Sequence, residues 1–150
     1  VPNTFVGNHD VDRIAAKVGP EKAILALAFL MTLPGMPSIY YGDEQGFQAM
    51  RGEGFSADDP VRPPLPATPE ELSDLGAWIF REHQALIGLR RRHPWLTRAK
   101  VEVLDKTNET ISYEVTDGAD KLLIEAWLQP TPGVRVSSGD ETIYAMPAEP

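Results

Sequence analysis

Three absences limit what this 150-residue chain can be. It has no cysteine, which excludes disulfides and zinc sites built on thiolates. Its 14 Lys and Arg residues are outnumbered by 22 Asp and Glu, and the net charge of −8 argues against the clustered basic face that nucleic-acid phosphates require. Its unbroken apolar run, residues 23–31, is far shorter than the ~20 residues that cross a bilayer. We therefore expect neither a nucleic-acid nor a membrane partner.

Two segments have the pattern of a strand that ends in polar side chains. Residues 4–6 are β-branched or aromatic, Gly7 allows the backbone to turn, and an amide, an imidazole and a carboxylate follow at 8–10. After a predicted helix at 20–33, residues 37–44 again run from apolar to acidic. Two successive units of strand, polar tip and helix predict the rim of a (β/α) barrel or an open parallel sheet, where ligands bind.

The residues of these segments resemble the α-amylase family of glycoside hydrolases. Residues 5–10, F-V-G-N-H-D, are similar to the F-x-x-N-H-D block of that family, and residues 35–44, G-M-P-S-I-Y-Y-G-D-E, to its G-x-P-x-I-Y-Y-G-D/E-E block. Residues 59–64, D-P-V-R-P-P, resemble the D-P-x-x-R-x-P segment after the eighth barrel strand. The resemblance covers residues 1–97 and implies the seventh and eighth βα units of a (β/α)8, or TIM, barrel.

The resemblance also implies that essential groups lie elsewhere. In that family the nucleophilic Asp and the acid/base Glu end the fourth and fifth strands, upstream of the F-x-x-N-H-D block. A complete barrel typically needs ~250 residues. Asp43 and Glu44 are adjacent, so in extended backbone they would point to opposite sides and form no facing catalytic pair. We expect a C-terminal fragment, inactive alone, of a retaining α-glycosidase or transglycosidase.

The resemblance assigns the central role to Asp10 and His9. Asp10 matches a third family carboxylate, which binds the sugar hydroxyls beside the reacting carbon and helps to distort the ring. His9 matches the histidine that hydrogen-bonds the same sugar. Glycosidic cleavage passes through an oxocarbenium-like state, which such preorganised groups stabilise. From the residues alone, the alternative is that Asp10 caps a turn and His9 packs against the strand end.

Four further residues are predicted to bind substrate. Asn8 belongs to the same polar tip as Asp10. Arg13 follows closely enough to keep Asp10 ionised through a charge-assisted hydrogen bond, or is a solvated arginine at a helix start. Tyr41 contacts a sugar ring or belongs to the core. Arg62 reaches the cleft or clamps the loop.

Neither a cofactor nor a metal is expected. Residues 8–10 and Asp12 offer too few ligands from one loop to hold a hard cation. His83 and His93 fall on different sides of a predicted helix, so they cannot share a metal. Calcium is left to a full-length enzyme, with no site evident in this sequence. The expected partners are an α-glucan or oligosaccharide substrate and, because two barrel strands expose backbone edges, the rest of the barrel or a second copy of the chain.

A long loop and a second helix follow the barrel strands. The loop at 45–67 is long for a compact domain and, at a barrel rim, would shape the substrate cleft. Residues 68–71, T-P-E-E, predict a helix start with an N-cap threonine and a capping box, and Pro94 predicts its end. The basic run 90–93 lies in the last turn, where it complements the helix dipole.

The tail from residue 98 changes to strand-like alternation with turn signals, of which Asp117-Gly118 is the clearest. It predicts a small antiparallel sheet or β-sandwich, so the fold class is α/β followed by all-β, with barrel residues 1–97 and a tail domain at 98–150. The alternative function is a non-catalytic module that binds carbohydrate or a partner through the tail. Its only candidate sugar platform is three aromatic residues in strand patterns, Tyr113, Trp127 and Tyr144.

Overall fold

A computed structural model describes residues 1–148 of the chain, as a helical part followed by a five-stranded sheet. Residues 149 and 150, which the predicted tail domain includes, lie outside the described residues. The elements are β1 (Asn3–Thr4), α1 (Ile14–Val18), α2 (Pro20–Thr32), β2 (Met36–Pro37), α3 (Asp74–Arg92), β3 (Lys100–Lys106), β4 (Thr110–Thr116), β5 (Lys121–Trp127), β6 (Gly133–Ser138) and β7 (Glu141–Met146). Short 3-10 turns cover Asp43–Gln45, Asp59–Val61, Pro69–Glu71 and Pro94–Arg98.

β1 and β2 pair in parallel, with Asn3 opposite Met36 and Thr4 opposite Pro37. The chain between them contains α2, so the segment is a βαβ unit, as the sequence pattern predicts. β1 starts one residue earlier than the predicted strand at 4–6 and is one residue shorter, whereas β2 is several residues shorter than its apolar run predicts. Ser38 N still donates to the Thr4 carbonyl at 2.8 Å, and the chain then bends into the turn that leads to Asp43. The polar tips that follow β1 and β2 therefore lie at the same end of this small sheet.

The apolar helix α2 is buried from several sides. It begins with Pro20 at its first position, as predicted, and eight of its 13 residues are buried. The helix packs against α1, α3 and β6. The extra covering that an apolar helix requires thus comes from α3 and the tail sheet. Among residues 1–148, no helix combines the length and hydrophobicity needed to cross a bilayer.

α3 begins later than predicted. The T-P-E-E segment forms a 3-10 turn, and the helix starts at Asp74 with Ser73 as the N-cap, whose hydroxyl accepts a hydrogen bond from Gly76 N at 3.1 Å. Ser73 is a second capping signal in the same stretch, and the first turn of the helix lies at Gly76 against the Gln45 carbonyl. The prediction of Thr68 as the helix cap is therefore wrong.

The basic run at the end of α3 acts on another helix. Arg90 is buried, and its guanidinium donates hydrogen bonds to the carbonyls of Met31, Leu33 and Gly35 at the C-terminal end of α2. A cation at this end complements the dipole of α2 and satisfies carbonyls that have no partner within the helix. Arg90 thus acts on α2 across a helix–helix contact, whereas the sequence assigned the run to the dipole of its own helix, which stays a prediction.

The tail strands form one antiparallel sheet in the order β3-β4-β5-β6-β7. The Asp117-Gly118 turn joins β4 to β5, with Gly118 at φ 100°. Alternate residues of β4 to β7 are buried, and one hydrophobic cluster runs from α2 and α3 into the sheet. Helices, rather than a second sheet, thus cover the inner face. The domain boundary at 97 and 98 stays a prediction, since this core is continuous across it.

Side-chain hydrogen bonds between residues of the described part link the helices to the sheet. The hydroxyls of Thr32 in α2 and Tyr113 in β4 lie 2.6 Å apart, and Tyr144 in β7 donates to Glu82 Oε2 at 2.6 Å. Burial raises the pKa of both tyrosines, so they stay neutral donors over any physiological range. Both rings belong to the packed interface between the two parts of the chain.

Candidate functional site

The polar turn after β1, residues 8–10, presents two side chains to solvent. Asn8 Oδ1 accepts a hydrogen bond from Asp10 N at 2.8 Å, which is the geometry of an Asx turn. His9 Nε2 lies 3.2 Å from Asp10 Oδ2, and the two side chains are 62% and 60% exposed. The turn is thus capped by Asn8 and not by Asp10, and His9 does not pack against the strand end. His9 and Asp10 are free to contact a ligand.

Arg62 connects the long loop to this polar turn. Its Nε and Nη2 donate to the His9 carbonyl at 3.2 and 3.0 Å, and Nη2 lies 3.4 Å from Asp10 Oδ1. Nη2 also donates to Asp58 Oδ2 at 2.8 Å. The sequence left open whether Arg62 reaches the cleft or clamps the loop. The structure shows that it holds the loop against the turn and lies beside Asp10.

Arg13 has a different partner from the one predicted. Its guanidinium is buried and donates from Nη1 to Asp43 Oδ1 at 2.9 Å, whereas Asp10 is paired with Arg62. Nε donates to the Val61 carbonyl at 2.9 Å. The expectation that Arg13 binds Asp10 is therefore wrong. Arg13 lies just before α1, whose first turn packs inward, and this directs its side chain away from the exposed turn.

Aromatic rings surround the buried guanidinium. The centroid of the Tyr40 ring lies 4.5 Å from Arg13 Cζ and that of Tyr41 5.1 Å, while the Tyr41 carbonyl accepts a hydrogen bond from Nη1. Such cation–π contacts stabilise a charge that has been removed from water. Tyr41 is half-buried, and its contacts with Arg13 and Tyr40 fit the alternative that it belongs to the core. Its role in substrate binding stays a prediction.

Asp43 fits against the first polar block through Gly7. A Cβ at Gly7 would lie 2.8 Å from Asp43 Oδ2, so only glycine leaves room for the carboxylate. Burial raises the pKa of Asp43, and the hydrogen bond and charge of Arg13 oppose that rise. The two sequence blocks, 30 residues apart, therefore interlock through a buried ion pair and a glycine that makes space for it.

Glu44 turns away from Asp43, although not for the reason predicted. The segment Asp43–Gln45 is a 3-10 turn and not extended backbone. Glu44 Oε2 accepts a hydrogen bond from Gly42 N at 2.7 Å, while Asp43 faces Arg13. The two carboxylates still have separate partners and do not form a facing pair.

The other carboxylates near the polar turn are already paired. Asp12 Oδ1 accepts from Arg51 N at 2.8 Å, and the two oxygens of Asp58 bind Arg51 and Arg62. Bonds between such half-exposed groups each contribute only about 0.2–1 kcal/mol, so they orient the turn more than they stabilise the fold. Within residues 1–148, no three His, Asp or Glu side chains are arranged to hold a metal ion. The absence of a cofactor stays a prediction.

The tail aromatics do not form a sugar platform. Tyr113 and Tyr144 are buried. The indole of Trp127 lies against the backbone of Gly133, where an added Cβ would be 2.4 Å from Trp127 Cζ2. Packing accounts for all three rings. The polar turn and the loop docked on it therefore form the stronger candidate site.

Known proteins match both parts of the chain. The family model described as alpha amylase, catalytic domain, matches residues 1–75. A 4-α-glucanotransferase of Thermotoga neapolitana is 28% identical over 83% of this chain and 34% of its own length. A cyclomaltodextrin glucanotransferase of Geobacillus stearothermophilus is 34% identical over 81% of this chain and 16% of its own length. The chain thus spans about a third or less of these relatives.

A solved structure supports the predicted architecture. AmyP in complex with maltose aligns with a TM-score of 0.73 and 21% identity, over 84% of this chain and 30% of that one. The aligned share takes in most of the helical part and the tail sheet together. This confirms the fold class, an α/β part of a (β/α) barrel followed by an antiparallel β part.

Proposed function

Because the chain belongs to the α-amylase family, whose catalytic-domain model matches its first half, we propose that it is the C-terminal part of a retaining glycosidase or transglycosidase. The substrate class is α-glucans and their oligosaccharides. The names of the relatives support this class, since they include a 4-α-glucanotransferase and a cyclomaltodextrin glucanotransferase, and AmyP was solved with maltose. The nucleophile and the acid/base carboxylate belong to the part of the relatives that this chain does not cover.

The observation that carries the proposal is the exposed His9–Asp10 pair on a pinned turn. An exposed carboxylate accepts hydrogen bonds from two sugar hydroxyls, and an imidazole N–H donates one. Asn8 holds the turn through the Asp10 N–H, and Arg62, from the long loop, holds it through the His9 carbonyl. His9 and Asp10 therefore need not reorganise when substrate binds. Preorganised polar groups of this kind favour the transition state when they bind it more tightly than the ground state.

Asp10 acts in this scheme without taking part in covalent chemistry. As the bond to the leaving sugar breaks, charge develops at the reacting carbon and the ring flattens. A carboxylate that accepts hydrogen bonds from the neighbouring hydroxyls binds them more strongly in this transition state and stabilises the distorted ring. Water or a second sugar then completes the reaction, and that choice is made by groups outside residues 1–148.

The proposal is tested by comparing the 150-residue chain with the complete enzyme on maltooligosaccharides and an aryl α-glucoside. The highly purified chain should show no turnover, and the complete enzyme should cleave or transfer α-glucosyl units with retention of configuration. Turnover by the chain alone that Asp10→Asn abolishes would contradict the division of roles. A complete enzyme inactive on every α-glucan would contradict the substrate class, and saturable sugar binding by the chain alone would favour the non-catalytic alternative.

A further inference from the structure

Asp58 lies between two arginines and uses a different oxygen for each. Oδ1 accepts a hydrogen bond from Arg51 Nε at 2.6 Å, and Oδ2 accepts from Arg62 Nη2 at 2.8 Å. Both are short, charge-assisted hydrogen bonds, which at this exposure fix the geometry more than they stabilise the fold. No sequence motif singles out Asp58, which lies just before the D-P-V-R-P-P segment.

Arg62 continues to the polar turn, and Arg51 to Asp12, which lies just after it. Arg62 donates to the His9 carbonyl and lies 3.4 Å from Asp10, and the backbone N–H of Arg51 donates to Asp12 Oδ1 at 2.8 Å. Asp58 is therefore linked to the chain on both sides of Asp10, to His9 through Arg62 and to Asp12 through Arg51.

Asp58 is itself fixed from below. Its carbonyl accepts a hydrogen bond from Val61 N at 3.1 Å, and the Val61 side chain is fully buried. The Val61 carbonyl binds the buried Arg13. Backbone bonds from Gly52 N to Ala57 O at 2.7 Å close the loop just before Asp58. The backbone at Asp58 is thus held by hydrogen bonds and by the buried Val61, and the Asp58 carboxylate does not lie on a free loop tip.

We propose that Asp58 is a positioning residue for Asp10, acting through Arg62; this inference rests on the proposed function. Nη2 of Arg62 has three acceptors, and its bond to Asp58 is shorter than its contact with Asp10. Without Asp58, Asp10 becomes the only carboxylate left to Arg62. The guanidinium then draws into a closer ion pair with Asp10 and competes with the sugar hydroxyls for its oxygens.

The test replaces one oxygen of the Asp58 carboxylate by an NH2 group. Asp58→Asn leaves a single acceptor oxygen for two guanidinium groups and turns an NH2 group toward one of them. Asp59→Asn is the matched control, because it removes the same charge one residue away, and in the described part of the chain the Asp59 side chain makes no hydrogen bond or ion pair. Asp58→Glu keeps both oxygens and serves as the rescue.

The first measurement needs no catalysis. In the 150-residue chain, NMR of the arginine Nε–H groups should show roughly tenfold faster exchange with water at Arg51 or Arg62 in Asp58→Asn. The backbone amide signals of His9 and Asp10 should also shift in Asp58→Asn. Asp59→Asn should change neither. Equal effects of the two substitutions would overturn the inference, and so would loss of the fold in Asp58→Asn, since no core role is assigned to that side chain.

The second measurement uses the complete enzyme. Asp58→Asn should lower kcat roughly 10- to 100-fold with little change in KM, since a small displacement of Asp10 affects mainly the transition state. Asp58→Glu should recover most of the loss, and Asp59→Asn should have no such effect. If the arginine signals change but kcat does not, positioning is contradicted. If Asp10→Asn itself leaves kcat unchanged, the proposed function fails while the anchoring of Arg62 by Asp58 stands.

Discussion

Arg13 and Asp43 form a buried ion pair, with Nη1 2.9 Å from Oδ1 and side chains only 1% and 5% exposed. Arg13 follows the polar tip of β1, and Asp43 follows the polar tip of β2. The pair therefore joins the two βα units at the end where the candidate site lies, and Arg13 also holds the loop through the Val61 carbonyl. The exposed polar turn at residues 8–10 therefore lies next to a fixed, buried ion pair.

Asp43→Asn should destabilise the chain strongly. The substitution leaves the guanidinium of Arg13 buried without an opposite charge, a change that typically costs about 3–5 kcal/mol. Glu53→Gln is the control, because Glu53 is an exposed carboxylate on the loop, and its free energy of unfolding should change by less than about 0.5 kcal/mol. Urea unfolding measures both. A loss below about 1 kcal/mol for Asp43→Asn would show that the pair does not hold the two units together.

Arg90 and Arg91 should differ sharply although they are neighbours. Arg90→Met removes three hydrogen bonds and leaves the α2 carbonyls without partners, with an expected cost of about 3 kcal/mol. Arg91 is exposed, so Arg91→Met should stay within about 0.5 kcal/mol. Circular dichroism during urea unfolding gives both values. Equal losses of unfolding free energy in the two variants would mean that the positive charge of the run, and not the contact of Arg90 with α2, stabilises the chain.

Stability should fall as pH drops below 6.5 because of His83. Burial lowers the pKa of its imidazole, against the opposing effects of the hydrogen bond to Ile79 and the charges of Glu44 and Glu82. Below the unfolded value of 6.5 the unfolded chain binds the proton first, so the unfolding free energy declines until the lowered folded pKa is reached. Above 6.5 the group contributes no pH dependence.

The slope that belongs to His83 is at most about 1.4 kcal/mol per pH unit. It should be lost in His83→Gln, so the difference between the wild-type chain and this variant should show it when urea unfolding is measured from about pH 7.5 to about pH 5.5. His93→Gln tests the assignment, since it removes a half-buried histidine at the C-cap of α3. A slope that is lost in His93→Gln but retained in His83→Gln would contradict the assignment to His83.

The isolated 150-residue chain should self-associate. Phe5 follows β1 and Met36 lies in β2; their exposed fractions are 52% and 53%. A groove lined by Phe5, Phe29 and Leu33 opens beside α2. Exposed apolar surface next to free strand edges favours pairing with the rest of a barrel or with another copy. Sedimentation should show oligomers that Phe5→Ser combined with Met36→Ser weakens. A dilute, well-folded monomer with strongly protected α2 amides would contradict this expectation.

Local patterns were enough to predict much of the fold. The bounds of α2, the parallel order of the two strands and the turn at Asp117-Gly118 all follow from periodicity and from residues that favour one backbone geometry. The polar turn was predicted from its own residues for the same reason. The start of α3 was not, because two capping signals compete there and packing at Gly76 decides between them.

Long-range partners account for what the sequence did not predict. Arg13 pairs with a residue 30 positions away, and Arg62 reaches 53 positions back to His9. No local pattern distinguishes a buried arginine from a solvated one. Gly7 was the available signal, because a glycine inside a strand pattern often marks a group that approaches closely, here the Asp43 carboxylate.

Steady-state kinetics of Asp10→Asn in the complete enzyme test the central claim, that the exposed turn binds the transition state of an α-glucosyl reaction. The substitution keeps the size of the side chain and removes its charge. We predict that kcat falls by a factor of roughly 100 or more, with kcat/KM, while the unfolding free energy stays within about 0.5 kcal/mol. His9→Ala should cost less, about 2–4 kcal/mol of transition-state stabilisation. A near-wild-type kcat for Asp10→Asn would contradict the account.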